Sequence, residues 1–194
     1  MNFLAHLYLS GNDEEIMVGN FIGDFVKGKA YEAYSENIRR GILLHRNIDE
    51  YTDHHPIVTE SKKRLWGKYR HYAGVIVDMF YDHFLATHWA EFHKMSLADF
   101  AQHVYKLIQS YEDRLPKGVR YMLPYMIEHN WLLSYAKKNG INNALTGMAR
   151  RTSFNSKMEE AVHDLDLYYN DFENDFKRFF PDLQAFVQEW LKHN

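Results

Sequence analysis

The feature that most constrains the fold is a stripe of apolar residues near the C-terminus that repeats at steps of four and three positions. The stripe consists of Met158, Val162, Leu165, Tyr169, Phe172, Phe176 and Phe179. This spacing places its members on one face of an α-helix, and an apolar face of this length has to pack against a core. We predict a helix over residues 155–191 that is kinked or split at Pro181, because proline lacks the backbone N–H that a continuing helix uses.

The rest of the chain also favours helices. Only four prolines and ten glycines interrupt the 194 residues, and strict alternation of polar and apolar residues is nowhere sustained. We therefore predict an all-α fold, a single compact multi-helix domain over residues 1–194. Further helices are predicted at 2–10, 13–28, 35–54, 57–68, 72–93, 97–113, 118–138 and 141–149.

Composition restricts the possible chemistry and location. The chain has no cysteine, so any metal has to be bound by His, Asp and Glu, which favours manganese, magnesium or iron. A net charge of −3 argues against a nucleic-acid-binding protein. The opening MNFLAHLYLS lacks a basic lead and a cleavage site, and no apolar run approaches the ~18 residues of a membrane span. We expect a cytoplasmic protein that does not bind membranes.

Three segments in the first half of the chain place carboxylates among apolar residues. The first is GNFIGDFVKG, in which Asp24 lies between Gly19, Gly23 and Gly28. A carboxylate with apolar neighbours needs a partner that offsets its desolvation. That partner is either a metal or, in the simpler interpretation, a helix N-terminus or a buried cation such as Lys27.

The second segment, GILLHRNIDEYTDHHP, places His45, Asp49 and Asp53 at successive i, i+4 spacings on one helix face. Repulsion between the two carboxylates has to be offset by a cation, either Arg46 or a bound metal. The alternative is a solvated polar face with a surface pair between His45 and Asp49. The apolar residues Ile42, Leu43, Leu44 and Ile48 favour an interior position and therefore a functional site.

The third segment, GVIVDMFYDHFLATHW, surrounds Asp78 and Asp82 with apolar residues on nearly all sides. This pattern predicts a buried helix that carries two carboxylates one turn apart. Unpaired, these acids would have strongly raised pKa values or would destabilise the fold, so a divalent cation is the economical explanation. His83 follows Asp82 directly and points about 100° away around the helix, so the two side chains need not bind the same ion.

A separate stretch, SKKRLWGKYRHY from Ser61 to Tyr72, carries five basic residues and no acid, namely Lys62, Lys63, Arg64, Lys68 and Arg70. A basic surface of this kind suits an acidic partner. In the alternative interpretation these side chains only solubilise an exposed helix.

Several ordered motifs resemble a known family. MNFLAHLYLS, GNFIGDFVKG, GILLHRNID with the following Thr52, Asp53 and Pro56, and VDMFYDHFLATHW are similar to the acyl carrier protein phosphodiesterases, an outlying branch of the HD-type metal-dependent phosphohydrolases. The resemblance continues through WLLSY (131–135), GMARR (147–151) and DLDLYY (164–169). It implies an HD-phosphohydrolase-like all-α fold, a divalent metal such as Mn²⁺ with Mg²⁺ or Fe²⁺ as alternatives, and hydrolysis of holo-acyl carrier protein to the apo protein and 4′-phosphopantetheine.

The resemblance also implies roles for particular residues. It assigns the metal to Asp24, His45, Asp49 and Asp78, with His6 and Asp53 in support. Catalytic roles go to Arg46, which would bind the phosphate with its forked guanidinium, and to Asp82 and His83 as acid, base or further ligands. Lys62, Lys63 and Arg64 would bind the acidic face of the carrier protein.

Two other functions are compatible with the same residues. The first is an HD-type hydrolase of a small nucleotide or cyclic dinucleotide, which would use the same metal with a different pocket. The second is a non-catalytic helical binding module in which the His and Asp side chains form structural ion pairs. Mononucleotide hydrolysis would identify the former, and purification without stoichiometric metal would identify the latter.

Overall fold

The computed structural model describes residues 1–194 and contains only helices and their connections, which confirms the all-α prediction. The twelve α-helices are α1 (Phe3–Leu9), α2 (Glu14–Ile22), α3 (Glu36–His54), α4 (Pro56–Tyr69), α5 (Ala73–Thr87), α6 (Trp89–Phe92), α7 (Leu97–Ser110), α8 (Lys117–Glu128), α9 (Trp131–Ser134), α10 (Lys138–Ala149), α11 (Ala161–Leu167) and α12 (Tyr169–His193). Short 3₁₀ turns lie at Gly23–Phe25, Ala30–Ala33, Arg70–Tyr72, Glu112–Arg114 and Met158–Glu160.

Four predicted helices end earlier or divide. The helix predicted at 13–28 ends at Ile22 and continues as a 3₁₀ turn, and the one predicted at 72–93 divides at His88. The helix predicted at 118–138 divides near Asn130, whose φ of 42° lies in the left-handed region. The segment 155–191 divides at Tyr168 and continues through Pro181, so a split at Pro181 is wrong, whereas a kink there stays a prediction.

Helix α12 continues through Pro181 because packing on both sides of the proline holds it. Phe179, Phe180 and Leu183 are each fully buried, whereas Pro181 is exposed. The proline removes one backbone hydrogen bond, and the buried aromatic rings around it offset that loss.

Helix α5 is central. It packs against α1, α4, α10 and α12, and most of its residues are buried in a hydrophobic core that joins both halves of the chain. Asp78, Asp82 and His83 lie on this helix; the two carboxylates contact the first residues of the chain, and His83 contacts Tyr135 and Tyr169. No helix combines the length and the apolar character that a membrane crossing requires.

Helices α2 and α3 approach each other unusually closely. A Cβ atom on Gly19 would lie 2.0 Å from the carbonyl oxygen of Ile38, and one on Gly41 would lie 2.2 Å from that of Ile16. Only glycine permits this backbone contact. The contact brings Asn20 of α2 beside His45 of α3, where the candidate site begins.

Candidate metal centre

Two histidines from distant parts of the chain stack face to face. The rings of His6 on α1 and His45 on α3 are 3.9 Å apart at an angle of 18°. Nδ1 of His6 lies 2.8 Å from the side-chain oxygen of Asn20, and Nδ1 of His45 lies 2.8 Å from the backbone oxygen of the same residue. Both partners are acceptors, so both Nδ1 atoms donate.

The amide of Asn20 has only one orientation that satisfies its neighbours. Its nitrogen donates to the backbone oxygen of His6 at 2.8 Å and to Oγ of Ser10 at 3.0 Å, so its oxygen faces the His6 ring. Asn20 is fully buried. It therefore sets the tautomer of both histidines and leaves each Nε2 as the free nitrogen.

The two Nε2 atoms converge on Asp49. The distances are 3.1 Å from His6 to Oδ1 and 3.2 Å from His45 to Oδ2. Burial, together with the adjacent His45, lowers the pKa of His6 to about 4. Neutral His6 with a proton on Nδ1 turns a lone pair toward the carboxylate, and two acceptors in contact require a cation between them.

The contacts between the imidazoles and the carboxylates shift the pKa values of both kinds of group. Burial alone would lower the pKa of His45, but the neighbouring carboxylates of Asp24 and Asp49 raise it to about 9. Burial likewise opposes ionisation of Asp49, yet the neighbouring His45 and His6 rings and the α-amino group of Met1 hold its pKa well below the usual value. The site thus stabilises negative charge on Asp49 and positive charge beside it.

Two more carboxylates lie at the rim of this cluster. Asp24 Oδ1 is 3.4 Å from Nε2 of His45, and Asp78 Oδ1 is 3.2 Å from the α-amino group of Met1, which in turn is 3.6 Å from Asp49. Burial raises the pKa of Asp78. We call His6, His45 and Asp49, with Asp24 and Asp78 at the rim, the ligand cluster.

The loop after α2 carries Asp24 into place. A Cβ atom on Gly23 would lie 2.3 Å from the His45 ring, so glycine is required for the approach. One terminal nitrogen of Arg46 then donates to the backbone oxygens of Val26 and Gly28, each at 2.8 Å. Arg46 thereby holds the loop against α3, and its Nε and other terminal nitrogen form no hydrogen bond within the protein.

Asp82, one turn after Asp78, contacts the start of α1 and not the ligand cluster. Its oxygens accept hydrogen bonds from the backbone N–H groups of Asn2, Leu4 and Ala5 at 3.2, 2.8 and 3.3 Å. Burial raises the pKa of Asp82 to about 7. The carboxylate satisfies the free N–H groups at the start of α1 and so positions the helix that carries His6.

His83 has partners for both ring nitrogens outside the ligand cluster. Nδ1 lies 2.8 Å from the backbone oxygen of Tyr135, and Nε2 lies 3.1 Å from the hydroxyl of Tyr169. These bonds join α5 to α9 and α12. The acid, base or ligand role suggested for Asp82 and His83 stays a prediction, because their observed contacts are structural.

The predicted carrier-binding residues are mostly paired with acids of the same chain. Lys62 binds Asp53 at 2.7 Å, and Arg64 binds the buried Asp175. Only Lys63 of the three is exposed with no ion pair. Asp53, predicted to support the metal, is thus in a surface ion pair.

The ligand cluster has the donor set of a divalent metal site. Ligand atoms of His6, His45 and Asp49 all lie within 4.8 Å of one another. Nε2 of His45 is buried and forms no hydrogen bond of acceptable angle, although two carboxylates lie nearby. Imidazole and carboxylate donors suit manganese, iron or zinc, so the residues present fit such an ion.

Sequence reasoning missed two features of this site. His6 was predicted only to support the metal ligands, whereas the His6 ring lies as close to Asp49 as the His45 ring does. The same reasoning overlooked Asn20, which orients both rings. A signal was available, since Asn20 is the one polar side chain in the apolar run from Ile16 to Ile22, and a buried amide needs partners.

Comparisons with known proteins agree with these motifs. The family profile described as "Acyl carrier protein phosphodiesterase" matches residues 1–183. A relative of that name from Photorhabdus laumondii is 34% identical over 182 residues, which cover 93% of this chain and 92% of the relative. One from Yersinia enterocolitica is 33% identical and covers 97% of this chain and 98% of the relative. No solved structure matches, so the likeness to HD-type phosphohydrolases stays a prediction. The chain belongs to the acyl carrier protein phosphodiesterase family.

Proposed function

We propose that this protein hydrolyses the phosphodiester of holo-acyl carrier protein to give the apo protein and 4′-phosphopantetheine, and that it acts in the cytoplasm. The family supports the reaction. The observation that carries the chemistry is the convergence of both Nε2 atoms on the Asp49 carboxylate, because both Nδ1 atoms donate to Asn20 and leave these nitrogens as the ones that can bind a metal ion.

We propose that the cation is divalent, with Mn²⁺ favoured and Mg²⁺ or Fe²⁺ as alternatives, and that His6, His45, Asp49, Asp24 and Asp78 hold it. A bound ion of this kind lowers the pKa of water and offsets negative charge on phosphate oxygens. Asn20 orients both imidazoles through their Nδ1 atoms. Asp82 supports His6 indirectly by binding the first turn of α1.

We propose that Arg46 binds the phosphate group of the substrate. Arg46 follows His45 in sequence, and its guanidinium is fixed to the loop through one terminal nitrogen and lies over the ring of Tyr31. Its two other nitrogens form no hydrogen bond within the protein. A guanidinium held in this way can donate to two non-bridging phosphate oxygens. We leave His83 out of the reaction, since Tyr135 and Tyr169 occupy both of its nitrogens.

The direct test is to incubate the protein with holo-acyl carrier protein and a manganese salt and to weigh the carrier by mass spectrometry. We expect loss of the phosphopantetheine arm, no loss after exhaustive chelation, and recovery when Mn²⁺ is returned. Hydrolysis of mononucleotides and cyclic dinucleotides, assayed in parallel, distinguishes a nucleotide hydrolase from a carrier-protein phosphodiesterase. An unchanged carrier mass with metal-loaded protein would contradict the proposed reaction. Undiminished turnover after confirmed metal removal would contradict its dependence on a metal.

A further inference from the structure

The proposed reaction limits where the carrier protein can dock. The bond that breaks joins the phosphate to a serine oxygen of the carrier itself, so the carrier surface has to come close to the ligand cluster. A docking surface must therefore begin at the edge of the cluster. The accessible edge is on the side of Asp24, which is 66% exposed, compared with 39% for Asp49 and 26% for Asp78.

Helix α8 lies next to this edge. A Cβ atom on Gly118 would lie 2.8 Å from the ring of Phe25, the residue that follows Asp24. The first turn of α8 therefore packs on the loop that carries a predicted metal ligand. Arg46 of α3 holds the same loop through the backbone oxygens of Val26 and Gly28, so the loop is anchored to both α3 and α8.

The outward face of α8 has no partner within the chain. Val119, Met122, Leu123 and Met126 bury the inner face. The outer face carries Tyr121 and Tyr125, which are 74% and 48% exposed and contact each other with ring centroids 5.7 Å apart. Exposed aromatic residues of this kind are enriched at protein interfaces.

The basic side chains on this surface form no ion pair within the chain. Lys117 and Arg120 on α8, and Lys27 and Lys29 on the loop, are all exposed, and none has an acid within ion-pair distance, although Glu112 and Asp113 precede α8. On α4, by contrast, Lys62, Arg64 and Lys68 are paired with acids of this chain. Unpaired cations are the ones that can attract an acidic partner.

We propose that the acidic face of the carrier protein docks on this entrance surface, defined by Lys27, Lys29, Lys117, Arg120 and Tyr121, and not on α4. The proposal rests on the proposed function, because it takes the carrier as substrate. Its support is charge complementarity, the exposed aromatic pair, and continuity with the ligand cluster through Phe25 and Gly118.

The test reverses charge on α8 with the variant Lys117→Glu/Arg120→Glu. Two quantities are measured at low ionic strength, the Kd for apo-acyl carrier protein and kcat/KM for the holo protein. We expect binding and kcat/KM to weaken about tenfold or more, with slower association and with kcat at saturating carrier little changed, because like charges now oppose the encounter. Added salt should narrow the difference from wild type.

Lys94→Glu/Lys106→Glu is the matched control, since both lysines are exposed, form no ion pair, and lie on α7 and on the connection before it rather than on α8 or the Asp24 loop. It should bind the carrier within about twofold of wild type, as a mutation remote from the docking surface has only a screened, long-range effect. Tyr121→Ala, which changes no charge, should weaken binding through loss of aromatic contact. Circular dichroism and melting temperature confirm that each variant is folded.

The binding assay separates failure of the docking proposal from failure of the proposed function. Equal binding by wild type and the α8 variant, or equal losses in the α8 and control variants, would overturn the docking surface while the hydrolysis could stand. Wild type that binds the carrier through α8 but never releases the arm would overturn the function and leave the docking surface in place.

Discussion

Two carboxylates, the buried Asp175 and the half-buried Asp49, have opposite kinds of surroundings. Asp175 on α12 accepts hydrogen bonds from Arg64 and from Oγ of Ser61 at 2.7 Å, and that Oγ also contacts the hydroxyl of Tyr81 at 2.9 Å. A second guanidinium, Arg178, lies 3.7 Å away. Permanent cations and hydroxyl groups thus satisfy Asp175 completely.

Asp49 instead has two imidazoles whose Nδ1 protons are directed to Asn20, and two further carboxylates at the rim. The α-amino group of Met1 and the imidazoles are the only basic groups that contact these three carboxylates. The comparison shows that a carboxylate among apolar residues does not by itself indicate function. What distinguishes a binding site is a partner set that remains incomplete without a ligand.

The largest expected effect is that of Asp49→Asn on turnover. The amide keeps the side-chain shape but removes the charge on which both Nε2 atoms converge, so we expect kcat on holo-acyl carrier protein to fall about a thousandfold or more. The melting temperature without metal should fall, because the low pKa of Asp49 reflects favourable interactions of its charge with His45 and the α-amino group of Met1. Near-normal turnover would remove Asp49 from the ligand cluster.

Asp175→Ala should show the reverse behaviour. It leaves Arg64 and Ser61 without their acceptor, and we expect the free energy of unfolding to fall by about 3 to 5 kcal/mol, as for other broken buried ion pairs. Denaturant melts measure this loss, while kcat of the folded fraction should stay near wild type. Asp166→Ala, which breaks the exposed pair with Lys138, is the matched control and should lower the free energy of unfolding by about 1 kcal/mol or less. Equal losses in the two variants would contradict the contrast.

The sequence predicted the fold class because helical periodicity is a local property. It could not predict the divisions at His88, Asn130 and Tyr168, since these breaks allow short helices to follow the core and arise from packing between distant segments. The prediction that the stripe ending at Phe179 packs on the core was correct, since all its members except Val162 and Tyr169 are buried.

The candidate site was predictable to the extent that it is local. His45 and Asp49 were expected on one helix face, and they are in contact at i, i+4. Asp78 and Asp82 looked equivalent in the sequence, but Asp82 binds the start of α1, some eighty residues earlier. Asp78 instead binds the α-amino group of Met1. These partners are set by how α1 packs on α5, and no local sequence pattern contains that information.

Asn20→Leu tests whether orientation of the imidazoles matters beyond burial. Leucine has a similar volume but no acceptor for Nδ1 of His6, so that ring loses its fixed tautomer while the backbone oxygen still binds His45. We expect Mn²⁺ affinity, measured by calorimetry, to fall about 10- to 100-fold, the usual effect of losing a partner that orients a metal ligand. Asn20→Asp, which keeps the acceptor, should retain more affinity than leucine. Equal affinity for all three proteins would assign Asn20 to packing alone.

The smallest expected effect is that of Lys63→Glu, and it shows whether the basic stretch on α4 contributes to recognition. Reversing Lys62, Lys63 and Arg64 together would not answer this, because a glutamate at 64 would face the buried Asp175 and unfold the protein. Lys63 is exposed and unpaired, so its reversal changes charge without breaking a contact. We expect kcat/KM for holo-acyl carrier protein to fall by about threefold or less at low salt and to match wild type near physiological salt, where charges more than about 8 Å apart are largely screened. A loss as large as that of Lys117→Glu/Arg120→Glu would return the docking surface to α4, and it would mean that pairing within the chain does not decide which cations meet the carrier.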